Sequence, residues 1–188
     1  MTRPQAPLEG GVGTADPGQA LVESYAVNDR MNQLVLEHLN PRAWREQLPG
    51  ARTRTIAAMF SHVHNIRRKW LRLSAPHLKL PAPLERSRLT QGQARAALAE
   101  SAAQCCEMLT EALVEPGGRV AKFRRDALAP PWPAGAAMVA YMITHEAHHR
   151  GQACMLAHQL GYPLPGPAAY GLWHWERLWK ECGFTHPR

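Results

Sequence analysis

Long apolar runs are absent from this sequence of 188 residues. No stretch approaches the ~20 apolar residues that a membrane-spanning helix needs. No apolar segment follows Arg3, so the first residues do not resemble a signal peptide. Residues 1–19 are rich in Gly, Pro and small polar residues, and we expect them to form a disordered tail. Residues 20–188 are enough for one domain with a buried core.

Cysteine is scarce, and its pattern excludes a regular cysteine framework. The four cysteines form no C-x-x-C pair and have no regular spacing. Because disulfides are rare in the cytoplasm, we interpret them as reduced thiols of a cytoplasmic protein. They are Cys105, Cys106, Cys154 and Cys182.

Acidic residues are outnumbered, with 15 Asp plus Glu against 22 Lys plus Arg and a formal charge of +7. Such a charge suits nucleic acid or an anionic small molecule. The basic residues cluster at 67–72 and 122–125, but no zinc-finger, RRM or KH pattern accompanies them. We interpret the clusters as solvated helix faces and expect no nucleic-acid partner. A basic DNA-binding protein without catalytic activity is retained as an alternative.

Valine and isoleucine are too sparse, and alternation is too rare, to predict a β-sheet. Four segments instead have apolar residues at intervals of three and four, which is typical of helices. They cover residues 19–39, 55–73, 90–115 and 133–160, and the shorter aromatic segment "YGLWHWERLWKECG" follows. This order predicts an all-α protein, a four-helix bundle with a short aromatic C-terminal segment.

Two histidines of the fourth predicted helix have the spacing of metal ligands. At about 100° per residue, His145 and His149 fall on one line that we expect to face the bundle core, with Glu146 and Arg150 pointing further away. Imidazoles at i and i+4 can converge on one metal ion. The full line is Met138, Met142, His145, His149, Gln152 and Leu156.

The same residues also spell H-E-x-x-H, the zinc-peptidase motif. A metzincin would continue with Gly and His at the positions where this chain has Gln152 and Met155. A di-iron carboxylate bundle would need a second E-x-x-H, and none exists. We therefore expect a third ligand from the second helix, which offers His62 and His64. Helical geometry does not choose between them, because they flank the apolar stripe on either side.

Two long segments resemble the DinB/YfiT-like family of metal-dependent enzymes. They are "TIAAMFSHVHNIRRKWL" on the second helix and "YMITHEAHHRGQACMLAHQLGYPLP" on the fourth. The loop "PPWPAG" and the segment "YGLWHWERL" also look like this family, so the likeness runs from about residue 20 onward. The resemblance implies a four-helix bundle that binds a divalent metal through one residue of the second helix and two of the last long helix.

The resemblance also implies which residues bind the metal. The early histidine of the family stands seven residues after the Ser or Thr that starts the helix and eight before an aromatic residue. From Thr55 and Trp70, that is His62. The predicted ligands are therefore His62, His145 and His149. We expect His64 to support the ligands or to be unrelated to the site, and the likeness of Glu146 to the peptidase base to be accidental.

Three protein ligands leave open positions, which is the arrangement of catalytic metal sites. The resemblance implies chemistry with a low-molecular-weight thiol of the bacillithiol or mycothiol type, and a homodimer. The leading hypothesis is a metal-dependent thiol S-transferase, and a metal-dependent hydrolase is the alternative. Three imidazoles suit Zn, Ni, Fe and Mn to varying degrees. Arg67 and Arg150 are expected near the pocket mouth, where they would bind an anionic thiol, and Gln152 is expected beside the ligands.

Overall fold

The structure, a computed structural model, describes residues 16–50, 54–114 and 134–185, and all regular structure in this part of the chain is helical. The prediction of an all-α four-helix bundle with a short C-terminal segment is confirmed. The long helices are α1 (Pro17–His38), α2 (Ile56–Ser74), α3 (Gln91–Val114) and α4 (Ala134–Gln159). A 3-10 turn (Pro41–Trp44) follows α1, and α5 (Gly166–Gly171) and α6 (Trp175–Glu181) follow α4.

Local capping explains where α1 begins. The side chain of Asp16 accepts a hydrogen bond of 2.8 Å from the backbone N–H of Gly18, and Pro17 fills the first helical position. Residues 17–19, predicted as the end of the N-terminal tail, therefore belong to α1. The rest of the predicted tail, residues 1–15, lies outside the described residues.

Side-chain caps also begin α2 and α3. Thr55 accepts a 3.2 Å hydrogen bond from the N–H of Ala58 at the start of α2. Thr90 and Gln93 form a reciprocal capping box at the start of α3, with contacts of 2.9 and 3.2 Å. Gly161 follows α4 with a φ of 85°, a conformation that glycine adopts without strain.

The packing places α1 and α2 diagonally opposite each other, because each of them packs against both α3 and α4. Two apolar clusters fill the bundle, one containing Phe60 and Leu98 and the other containing Trp70 and Met142. The helices α5 and α6 pack on the outer side of α1. No helix in the described ranges is long and apolar enough to cross a membrane.

A layer of buried charges separates the two apolar clusters, and its centre is Arg67, which is 1% exposed. The Arg67 guanidinium donates to both oxygens of Glu146, at 2.8 and 2.5 Å, and to Asp29 at 2.8 Å. It also donates to the backbone oxygen of Leu98 at 2.8 Å. This one side chain on α2 therefore binds α1, α3 and α4.

Glu146 is the second member of this layer and is 2% exposed. Its carboxylate also accepts from the amides of Asn28 and Asn32, at 2.8 Å each, and from the hydroxyl of Tyr25 at 3.2 Å. The expectation that Glu146 points away from the core is wrong. The helical wheel treats charge as a sign of solvent exposure, but a carboxylate that is paired and fully hydrogen-bonded can be buried.

Burial and mutual attraction set the charges of this layer. Burial alone would lower the pKa of Arg67. The neighbouring Glu146 carboxylate, with Tyr25 and Asp29, raises it by more than burial lowers it, so the pKa lies well above its usual value. Burial raises the pKa of Asp29, and the Arg67 guanidinium opposes that rise. Arg67 is therefore a fixed cation, and the interpretation of residues 67–72 as a fully solvated basic face is wrong at this position.

Candidate metal centre

Helices α2 and α4 bring together His62, His145 and His149. One ring nitrogen of each lies within 4.8 Å of the others, and these residues form a group that could hold a metal ion. The Nε2 atoms of His62 and His145 are 3.2 Å apart. The ring centroid of His149 lies 4.9 Å from that of His62 and 4.7 Å from that of His145. Imidazole nitrogens that bind one zinc ion, at about 2.0–2.1 Å each, are separated by about 3 Å, so the donor set fits a divalent ion.

The group lies at the edge of the core and not at its centre. His62 and His145 are partly exposed, and His149 is only just buried. The predicted line is buried at Met142 and Leu156, but it reaches the edge of the core at His145 and Gln152, and the core face also includes Glu146. Because the histidines flank the core, the site combines packed support with access from outside.

The surroundings favour neutral imidazoles, which is the form that binds metal. Burial lowers the pKa of His62, and so do the neighbouring His149 and Arg54. Burial also lowers the pKa of His149, although a hydrogen bond to Gln152 opposes the shift. Both residues therefore keep a free lone pair at a lower pH than histidine in water.

Gln152 orients His149, as its position on the helix suggested. The Nδ1 atom of His149 lies 2.9 Å from Oε1 of Gln152, one helical turn further along α4. Because an amide oxygen only accepts, Nδ1 carries the proton in this contact and Nε2 keeps its lone pair. On the other side, the ring of Tyr141 stacks on His145 at a centroid distance of 5.8 Å. Two of the three rings are thus held by neighbours.

His64 is outside this group, although it is only two residues from His62. It is fully buried, with Nδ1 3.1 Å from the hydroxyl of Ser101 and Nε2 2.8 Å from the backbone oxygen of Ala82. Both ring nitrogens therefore have protein partners. Burial lowers its pKa, so it serves as a neutral link between α2, α3 and the loop that joins them. Placement in the bundle thus separates the two candidates that helical geometry left open.

A cavity of about 780 Å³ adjoins the candidate metal centre at His149 and is called the site cavity below. Arg54, at the start of α2, and His149 are part of its wall. The described lining residues are Leu48, Arg54, Met59, His148, His149, Gly151, Gln152, Met155, Leu156 and Gln159. The cavity provides space for a small molecule beside the candidate metal centre.

The expectation that Arg67 and Arg150 lie at the pocket mouth is wrong. Arg67 is buried between helices, as described above. The Arg150 guanidinium donates to the side-chain oxygens of Asn28 and Asn32, at 2.9 and 2.8 Å, and so points toward α1. The arginine at the cavity is Arg54, which pattern reasoning missed because it lies in a loop without periodicity. Its position directly before Thr55, the N-cap of the helix that carries His62, could have indicated that Arg54 lies near the site.

The family model described as the DinB family matches residues 14–181 of the chain. The chain belongs to the DinB family. The predicted family resemblance is therefore confirmed, and the match begins slightly before residue 20, where the likeness was expected to begin. No curated protein and no solved structure matches the chain significantly. Membership accounts for the helical fold of this DinB-family protein and is compatible with a metal-dependent enzyme, while the activity itself has to be argued from the site.

Proposed function

We propose that this DinB-family protein is an enzyme that binds one divalent metal ion through His62, His145 and His149. It would use the ion to transfer a low-molecular-weight thiol to an electrophilic small molecule. The observation that carries the proposal is the partly exposed group of three histidines beside the site cavity. Three neutral protein ligands leave coordination positions open, whereas structural zinc sites are usually closed by four. An ion bound there would lower the pKa of a thiol that binds to it.

The residues of the chain would prepare this reaction. Gln152 sets the orientation of His149, and burial keeps His62 and His149 in the neutral form that binds metal. Apolar side chains of the site cavity, such as Met59 and Leu156, would exclude water from one side of the reacting groups. The charged layer at Arg67 ties α2 to α4, the two helices that carry the histidines.

The protein's own cysteines do not provide the reactive thiol. All four are free, and burial raises the pKa of Cys105 and of Cys106 to about 12. Burial also raises the pKa of Cys154 and Cys182. A thiol with a raised pKa carries little thiolate at neutral pH and is a poor nucleophile. This favours an external thiol, and the four free cysteines also support our proposal of a reducing, cytoplasmic setting.

A thiol-conjugation assay tests this proposal. Purified protein is assayed for bound metal and then mixed with bacillithiol, mycothiol or simpler thiols and a chlorodinitrobenzene. The thiolate sulfur would form a bond to the ring carbon, chloride would leave with the bonding electrons, and the thiol proton would go to solvent. We expect conjugation that a chelator abolishes and added metal restores. A thermal melt with and without chelator is expected to show a parallel loss of stability, because the ion binds the folded state.

The hydrolase alternative and the non-catalytic alternative have distinct outcomes in the same assay. Metal-dependent cleavage of an ester or amide without any thiol would favour hydrolysis by metal-bound water. Binding to random DNA that falls steeply with salt and is insensitive to chelator would favour the basic DNA-binding protein. Full conjugation by the metal-free protein would contradict the proposed function.

We also propose a homodimer that forms through an aromatic surface on α5 and α6. Tyr170 and Trp173 are 73% and 78% exposed, and Trp175 is 44% exposed. Trp179, in contrast, packs against Phe184 at a centroid distance of 5.6 Å and against a third apolar cluster, formed by Val27, Met31, Leu34 and Leu178. Aromatic residues that are exposed in a single chain are often buried at the centre of an interface in the complex.

Light scattering checks this expectation. At micromolar concentration the measured mass should be twice the 20.9 kDa of one chain. Trp173→Ser is expected to shift the protein toward the monomer. Leu80→Ser is the matched control, because Leu80 is exposed on the loop between α2 and α3. A wild-type protein that is entirely monomeric would contradict the proposal.

A further inference from the structure

The wall of the site cavity combines an apolar floor with one strong cation. Leu48, Met59 and Leu156 provide apolar surface, and Arg54 provides a guanidinium that is exposed to solvent. Among the described residues that line the cavity there is no aspartate and no glutamate. A ligand here would therefore meet both a positive charge and apolar side chains.

Arg54 and the candidate metal ligand His149 line the same cavity. Three neutral imidazoles also leave the two positive charges of a divalent ion uncompensated. The nearest buried carboxylates, Asp29 and Glu146, are already paired with Arg67. A negatively charged ligand in the site cavity would therefore be attracted by Arg54 and by a bound metal ion.

We propose that the site cavity binds a small organic acid, with its carboxylate on Arg54 and its apolar body along Leu48, Met59 and Leu156. The proposal rests on the proposed function, in which this acid is the electrophilic substrate that receives the thiol. The volume of about 780 Å³ lies within the range of about 300–1,000 Å³ that is usual for small-molecule sites. A planar guanidinium binds a carboxylate through two parallel hydrogen bonds, which would also fix the orientation of the ligand.

Among the described residues near the cavity, two other arginines are not available to bind the carboxylate of a ligand. Arg67 is enclosed by Asp29 and Glu146, and Arg150 binds the asparagines of α1. A neutral ligand of the same shape would displace water from the Arg54 guanidinium without forming an ion pair in exchange, and this desolvation costs free energy. The chemistry of the wall therefore discriminates between an acid and its neutral amide.

Calorimetric titration with phenylbutanoate and with phenylbutanamide tests this inference in both the metal-free and the zinc-loaded protein. The two probes share size and apolar surface and differ in charge. We expect the acid to bind about tenfold or more tightly than the amide, since hydrogen bonds between charged groups contribute about 1.5–3 kcal/mol. Arg54→Gln should reduce the affinity for the acid to that for the amide and leave the melting temperature unchanged, because Arg54 is exposed.

Arg72→Gln is the matched control, because it removes the same charge from an exposed position at the other end of α2. It should bind the acid as the wild type does. Equal affinity for acid and amide, or unchanged acid binding in Arg54→Gln, would overturn the proposal. So would binding that occurs only with zinc present, since the carboxylate would then bind the ion and not Arg54.

The thiol-conjugation assay separates this inference from the function on which it rests. If the acid binds through Arg54 but no thiol is transferred with metal present, the cavity assignment stands and the transferase proposal fails. If thiol is transferred and Arg54→Gln has no effect on the acid, the transferase proposal stands and the cavity assignment fails.

Discussion

Glu146→Ala is expected to lower the free energy of unfolding by about 3–5 kcal/mol, the usual cost of removing one partner of a buried ion pair. Arg67 would be left buried with Asp29 as its remaining carboxylate partner, and the amides of Asn28 and Asn32 would lose their acceptor. The guanidinium cannot escape the penalty by releasing its proton. Denaturant unfolding of the metal-free variant and wild type measures the difference.

A matched control and a double variant make this test specific. Glu107 is an exposed carboxylate on α3, so Glu107→Ala is expected to change stability by less than about 0.5 kcal/mol. Adding Arg67→Met to Glu146→Ala should recover part of the loss, because the stranded cation is removed with its partner. A loss in Glu146→Ala no larger than in Glu107→Ala would mean that the charged layer does not stabilise the bundle.

Glu146→Gln separates the layer from the peptidase reading of the H-E-x-x-H motif. The amide keeps the shape of the side chain but not its charge, so it should also lower stability, although less than alanine. The carboxylate is enclosed by Tyr25, Asn28, Asn32 and Arg67, and it therefore has no free oxygen to act as a general base on a substrate. A variant with unchanged stability and lost turnover would contradict this structural role.

His62→Ala is expected to weaken metal binding by more than about 100-fold, since the loss of a residue that only supports a metal ligand already costs about 10–100-fold. The wild type should hold one ion per chain after dialysis against zinc. His64→Ala should keep most of the metal but lower the melting temperature, because His64 is buried against Ser101 and Ala82. His158→Ala, an exposed change on α4, controls for the loss of a histidine elsewhere.

Elemental analysis and calorimetry on these variants decide the ligand assignment. Equal loss of metal in His62→Ala and His64→Ala would point to a general effect on folding. Loss in His64→Ala alone would contradict the assignment of His62. Retention of stoichiometric metal in His62→Ala, His145→Ala and His149→Ala alike would mean that the three histidines are not a metal site.

The pH dependence of the metal-free protein has a definite direction. The pKa values of His62, His64 and His149 are lowered in the folded protein, in each case first by burial. As the pH falls below about 6.5, the usual histidine value, the unfolded chain takes up protons that the folded protein does not. Stability should therefore decline from that pH toward the lower folded values, and metal should be retained to a lower pH than by free imidazole.

Local sequence determined the helices and the pairing within one helix. Thr55 and the Thr90–Gln93 box start their helices through contacts that span only three residues. His145 and His149 converge because residues four apart share one face of any α-helix. Such features depend on the geometry of a single element, and for that reason they were readable before any packing was known.

Only the tertiary structure decided how each helix is rotated about its axis and which charges it meets. Glu146 and Arg67 are buried because each neutralises the charge of the other from a different helix. Hydrophobic periodicity describes one helix at a time and cannot predict a partner that is distant in sequence. The same rotation of α2 directs His62 toward His145 and buries His64 against Ser101. Arg54 lines the cavity because the loop before α2 ends beside α4. This proximity follows from the packing of the helices and could not be predicted from the sequence of the loop or of α4 alone.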